Sequence, residues 1–276
     1  MLKQRVATAA VLAPLAVWGI LALSTSQLAI VLSAFILIGA WEWTGLSGVH
    51  QPLLRGAYLV TMAGLLGLSW EYMRHTAFIE GTLYASLVWW LLAFVWILQY
   101  PFGAEPSLVF KVIKLVAGVF VLIPAWTALL VLHGSEDYGP LWVLFVLGLI
   151  WIADTGAYFA GKRWGRKKLA PRVSPNKTNA GVYGALALVL VYGISAGFFL
   201  LDLRDIRLSY FVVLALCLVP VSVLGDLYES MLKRHCGCKD SGSVLPGHGG
   251  ILDRIDSLTA TAPLFVLGLL WLKIPT

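Results

Sequence analysis

Residues 247–257 read GHGGILDRIDS, with a histidine, an arginine and two carboxylates close together. Asp253 and Asp256 are three apart, so a helix beginning at DRID points both carboxylates the same way. With Asp226 from the preceding apolar run they make an all-oxygen donor set. Such a set suits Mg²⁺, which takes a few carboxylates and completes its octahedron with water and substrate phosphate. Gly249 and Gly250 follow His248, and glycines let backbone N–H groups approach a phosphate closely. Arg254 adds a planar fork for phosphate oxygens. Acids for metal, glycine-rich backbone and cations for phosphate are the parts needed to move a phosphoryl-type group. There, positioning and charge neutralisation supply most of the catalysis.

Two further stretches extend the set. Asp226, Glu229, Ser230 and Lys233 fall at i, i+3, i+4 and i+7, and so share one helix face. A carboxylate inside an apolar span costs ~2.5–3.5 kcal/mol on insertion scales and marks a functional site by default. Asp154, in WIADTGAY, is a second such acid. Between these runs lies GKRWGRKKLAPRVSPNKTNAG, residues 161–181. Its Lys162, Arg163, Arg166, Lys167 and Lys168 suit anionic headgroups, at roughly 1 kcal/mol each near a surface. Ser174-Pro175 and Lys177-Thr178 resemble a helix start capped by Ser174 or Thr178. A helix N-terminus with a lysine beside it binds anions, so triphosphate or lipid phosphate is expected there. His235, Cys236, Cys238 and His248 are poorly spaced for zinc, because Cys-x-Cys is tighter than the usual pairs. The cysteines read instead as thiols of a variable reduced loop, and His248 as a phosphate contact rather than a base.

The elements that must carry these residues are apolar. The chain is 59% hydrophobic and 12% charged, with a mean hydropathy of +0.85. Charged residues make up roughly a quarter of an ordinary soluble domain. Runs near the ~20 residues needed to cross a bilayer recur along the sequence. They fall near 6–26, 28–46, 56–72, 81–98, 112–132, 140–160, 180–201, 209–231 and 258–274, the third being interrupted near Trp70-Glu71. An all-α polytopic membrane protein of about nine transmembrane helices follows. The first run is too long for a signal-peptide core and is read as a retained helix.

Charge orients the bundle. With the N-terminus cytoplasmic and sides alternating, sixteen of the 20 Lys and Arg fall on the cytoplasmic side. That is the asymmetry topology demands. Arg74, Arg204, Arg207 and Lys273 are the four outside. The net charge of +6 is therefore a topology signal and implies no nucleic-acid partner. Loops 161–181 and 233–257 both face the cytoplasm in this scheme, which places an active-site cleft at that face.

The stretch SMLKRHCGCKDSGSVLPGHGGILDRIDS closely resembles the signature of the phosphatidate cytidylyltransferase (CDP-diacylglycerol synthase) family. Its fixed positions are kept at Ser230, Lys233, Arg234, Lys239, Asp240, Pro246, His248, Gly249, Gly250, Asp253, Arg254 and Asp256. GDLYES and DTGAYFAGKRWGRKKLAPRVSPNKT resemble it as well. The likeness is good from about Trp151 onward; the first 130 residues match only as apolar spans. One departure is visible. The family follows S-P-x-K-T with an aromatic and a glutamate, where this chain has Asn179 and Ala180.

The resemblance implies the reaction CTP + phosphatidate → CDP-diacylglycerol + pyrophosphate. Mg²⁺ would sit on Asp226, Asp253 and Asp256, with room for a second cation. Lys233 and Arg254 would join the aspartates in catalysis. Ser174, Lys177, Thr178, Ser230, Arg234, Lys239, Asp240, His248, Gly249 and Gly250 would contact CTP and phosphatidic acid. Residues 136–276 then form the catalytic region. Residues 1–135 form a transmembrane scaffold that touches membrane lipids and leaves room for a homodimer. The expected location is a bacterial plasma (inner) membrane. The alternative from another class is a secondary transporter using Asp154 and Asp226, which should show acids near the midplane and broken helices in two similar halves.

Overall fold

The computed structural model describes residues 2–244 and 249–274, with side chains from residue 10 onward. Among the described residues there are nine helices: α1 (Leu2–Ala22), α2 (Thr25–Leu46), α3 (Pro52–Tyr72), α4 (Thr76–Leu98), α5 (Leu108–His133), α6 (Pro140–Trp164), α7 (Asn179–Phe199), α8 (Asp205–His235) and α9 (Leu252–Trp271). A two-stranded hairpin, β1 (Lys168–Ala170) and β2 (Ser174–Thr178), lies between α6 and α7. Helices α2 to α8 are each long and apolar enough to cross a membrane. In α1 the apolar part is Ala10–Ala22, and α9 opens with the charges of DRID before its apolar run. The molecule is an all-α integral membrane protein. Helix α3 runs unbroken to Tyr72, so Trp70-Glu71 does not interrupt it.

Local sequence sets the helix ends. Ser24 and Gln27 close a capping box on α2: the Gln27 N–H donates to Ser24 Oγ and the Ser24 N–H donates to Gln27 Oε1. Ser107 caps α5. At each, a side-chain oxygen satisfies a backbone donor that has no intrahelical partner.

The hairpin decides between the two candidate helix caps in favour of Thr178. Ser174 instead opens the extended strand Ser174–Thr178; Ala170 pairs with Ser174 and Lys168 with Thr178, across an irregularity in register. Pro175 offers no N–H, which an edge strand tolerates, and it drives Ser174 away from helical backbone angles. The helix begins one turn later, where the Thr178 hydroxyl accepts from the Gly181 N–H at 3.1 Å.

Two apolar clusters hold the helices together. One gathers Trp142, Phe145, Phe211 and Phe265 from α6, α8 and α9. The other gathers Trp43 of α2, Trp90 and Trp96 of α4, Trp126 of α5, Tyr228 and Leu232 of α8, and Leu252 of α9. Both draw on residues from before and after position 135, so the two halves of the chain share their cores. Many outward side chains are also apolar, including Val60, Leu91, Leu98 and Val191. Lipid tails solvate such a surface as water would not.

Candidate active site

Tyr228 fixes the rotation of α8. It is 1% exposed, with the rings of Trp89, Trp90, Trp96 and Trp43 at 5.8, 5.8, 6.1 and 6.2 Å. Aromatic pairs at these separations contribute beyond their buried area. With Tyr228 locked, its neighbours on the helix have determined directions. Gly225 brings α9 against α8: a Cβ there would lie 2.5 Å from the Asp256 carbonyl oxygen. That close approach sets Asp226 beside the first turns of α9.

The polar stripe expected on α8 is present. The Ser230 hydroxyl donates to Asp226 Oδ1 at 3.1 Å, and Lys233 Nζ lies 2.9 Å from Glu229 Oε2. Asp226 and Lys233 also meet residues from elsewhere. Lys177 Nζ, on β2, lies 2.6 Å from Asp226 Oδ2. Lys233 Nζ lies 2.6 Å from Asp253 Oδ1 on α9. A cavity of about 280 Å³ opens between α6, β2, α7 and α8, with Asp154, Ser174, Lys177, Thr178 and Asp226 on its wall. Asp154 feels the charges of Lys177, Asp226 and Arg254. Asp256 feels those of Asp226, Glu229 and Lys177.

The three aspartates expected to share a metal do not converge. Among the described residues no three His, Cys, Asp or Glu side chains form a group able to hold a metal ion. Asp253 faces another way. Its Oδ2 accepts from the Ser241 N–H and hydroxyl, both at 2.9 Å, and from the Gly250 N–H at 2.8 Å. With Lys233 on Oδ1, both oxygens are occupied. Asp226 is engaged as well, by the Ser230 hydroxyl on Oδ1 and Lys177 on Oδ2, but it lines the cavity where Asp253 does not, so Asp226 and Asp256 fit a divalent cation better. They are hard donors within each other's field, and Mg²⁺ commonly takes only one or two protein carboxylates beside substrate phosphates.

The two glycines also differ from expectation. Gly249 has φ +83°, in the left-handed region, and a Cβ there would lie 2.6 Å from Asp253 Oδ2. A Cβ on Gly250 would lie 2.5 Å from both carboxylate oxygens of Glu42. In this structure they admit two carboxylates to the backbone, and the Gly250 amide already has its acceptor.

Glu42 itself was missed. It lies on α2 with 4% of its surface exposed. It accepts from the Ile251 N–H at 3.0 Å and the Leu252 N–H at 2.9 Å, at the start of α9. The Ser241 hydroxyl adds a third contact at 3.2 Å. The signal lay in IGAWEWTG, an acid inside an apolar run.

Of the remaining candidates, Arg234 Nε donates to the Val173 carbonyl at 3.3 Å, joining α8 to the hairpin. Lys239, Asp240 and Arg254 are exposed. His248 lies outside the described residues. Cys236 and Cys238, expected as reduced thiols, are bonded to one another. Asn179 and Ala180 form the first turn of α7.

The chain matches the model of the cytidylyltransferase family over residues 3–272. It is 43% identical to the phosphatidate cytidylyltransferase of Pseudomonas aeruginosa over 277 residues, covering 98% of this chain and 97% of that protein. It is 37% identical to the Haemophilus influenzae protein of that name, covering 96% and 97%. Against the one from Thermotoga maritima the identity is 32%, covering 95% and 94%.

Proposed function

Since the chain belongs to the cytidylyltransferase family, we propose that it joins CTP and phosphatidate into CDP-diacylglycerol and releases pyrophosphate. The observation that carries this reading is the meeting of Lys177 and Asp226 on the wall of a cavity, with the Lys233–Asp253 pair about two turns farther along α8. Cations that can neutralise phosphates and acids that can bind a hard metal come together there from three separate segments. The family match decides against the transporter reading.

A phosphate oxygen of phosphatidate attacks the α-phosphorus of CTP in line. The new P–O bond forms as the bond from the α-phosphorus to the bridging oxygen breaks, and that oxygen leaves on pyrophosphate. The attacking oxygen is already anionic, so no general base is required. Lys177, at the cavity wall, is placed to take triphosphate oxygens. Lys233, Arg234, Lys239 and Arg254 supply positive charge for lipid phosphate and leaving pyrophosphate. Ser174 and Thr178 offer hydroxyls on the cavity wall, and the Ser230 hydroxyl orients Asp226. We place Mg²⁺ on Asp226 and Asp256, where it would neutralise phosphate charge. Asp253, the third member of the expected set, holds Lys233 and the loop after α8.

The charge asymmetry of the loops supports a cytoplasmic N-terminus, hairpin and 236–251 loop. The substrates agree with that placement, since CTP is cytoplasmic and acyl chains stay in the bilayer. A bacterial inner membrane fits the bacterial relatives.

The test is incorporation of labelled CTP into lipid by purified protein across an Mg²⁺ titration. Turnover should require Mg²⁺ and phosphatidate. D226N and D256N should move the Mg²⁺ midpoint upward, whereas D253N should lower turnover without moving it. Failure of CTP to label lipid overturns the reaction, and an unchanged midpoint in D226N overturns the metal placement.

A further inference from the structure

We propose that Glu42 is a positioning residue for this reaction: it clasps the start of α9 so that Asp253 meets Lys233. The inference rests on the reaction proposed above, but its structural part can fail or stand separately.

The geometry is specific to a carboxylate. Oε1 accepts from the Ile251 N–H and Oε2 from the Leu252 N–H, while Ser241 Oγ, whose one proton is shared between Glu42 and Asp253, lies 3.2 Å from Oε2. Two separate acceptor oxygens are needed at once. A negative charge at a helix N-terminus is also favoured by the helix dipole. Burial makes the contacts matter more, since a buried donor left unsatisfied is costly. Ser241 links the two acids, because its hydroxyl lies 3.2 Å from Glu42 and 2.9 Å from Asp253.

The surrounding sequence is shaped to admit this side chain. Gly242 and Gly250 approach it so closely that a Cβ on either would overlap the carboxylate. Gly39, one turn earlier on α2, has Leu252 against it, where a Cβ would sit 3.1 Å from Leu252 Cδ2. Helix α2 therefore meets α9 through a fitted surface. In effect Glu42 fills the anion site at the start of α9, and the substrate phosphates must be met elsewhere, by the lysines and Arg254. The N-terminal half thus contributes to the site as well as to the scaffold.

E42Q keeps the shape but turns an amide N–H₂ toward a backbone N–H. In full-length protein in lipid nanodiscs, hydrogen exchange across 241–252 should speed up by about fivefold or more, while helix interiors such as α4 and α6 stay unchanged. Turnover should fall about 10-fold, with KM for CTP and phosphatidate within about twofold, as expected for a displaced catalytic group rather than a lost substrate contact. G242A, whose added Cβ would meet only Glu42 atoms, should give the same signature. In the E42A background G242A should cost less than about threefold, because the overlapping carboxylate is gone. Wild-type exchange and turnover in E42Q overturn the proposal, as does strict additivity of E42A and G242A. If E42A does not accumulate, E42Q and G242A carry the test alone. If wild-type protein fails to label lipid, the reaction assignment falls, and the exchange data still decide whether Glu42 holds the clasp.

Discussion

Lys233 Nζ lies 2.6 Å from Asp253 Oδ1, tying the last turn of α8 to the first turn of α9. The same ammonium lies 2.9 Å from Glu229 Oε2, so one lysine serves two carboxylates. Their side chains are only 4% and 7% exposed, and that of Lys233 only 13%. Removing one member of a buried ionic group leaves the others uncompensated, at about 3–5 kcal/mol. K233M should therefore lower thermal stability in detergent by that order and abolish CTP incorporation. A variant as stable and active as wild type would show the group to be dispensable.

The Lys177–Asp226 pair behaves differently, because its side chains are 22% and 34% exposed. Such pairs contribute about 1 kcal/mol or less to stability. K177A should leave the melting temperature nearly unchanged. If Lys177 binds triphosphate, losing a charge-assisted contact should raise KM for CTP about 10-fold or more. A large loss of stability with unchanged KM would make the lysine structural.

Tyr228 separates packing from polarity. Its hydroxyl has no hydrogen-bond partner among the described residues, although the ring is packed among four tryptophans. Y228F should be neutral or slightly stabilising. Y228A should cost about 3–5 kcal/mol, as other large aromatic truncations in cores do. Differential scanning of both variants checks the pair, and a strongly destabilised Y228F would reveal a partner for the hydroxyl.

Gly225 offers a test of the helix spacing. Alanine there would place Cβ 2.5 Å from the Asp256 carbonyl and 3.1 Å from Ser257 Cα. Both obstacles are backbone, so α8 and α9 must separate. G225A should cut turnover at least as severely as D226N, though it changes no polar group. Near-normal activity would show that the site tolerates a wider gap.

Much was legible in the sequence because it depends on local pattern. Apolar runs near 20 residues marked the helices, and acids inside them marked α8 and the start of α9. Helical spacing correctly put Ser230 beside Asp226 and Lys233 beside Glu229, since partners four apart meet on any helix. Of the two candidate caps, Thr178 starts α7, whereas Ser174-Pro175 satisfies the same local pattern without starting a helix. Only pairing with Lys168–Ala170 makes those residues a strand.

Tertiary structure decided the partners. Asp253 and Asp256 share a helix turn, yet one faces Lys233 and Ser241 while the other feels the charges of Asp226 and Glu229. Side-chain spacing cannot choose between them, because the choice depends on how closely α9 approaches α8 at Gly225. Glu42 lies about two hundred residues from the amides it caps. Its sequence announces a buried charge but not the donor that satisfies it. The chain itself determined which groups must be neutralised inside an apolar bundle; helix packing determined which group neutralises each.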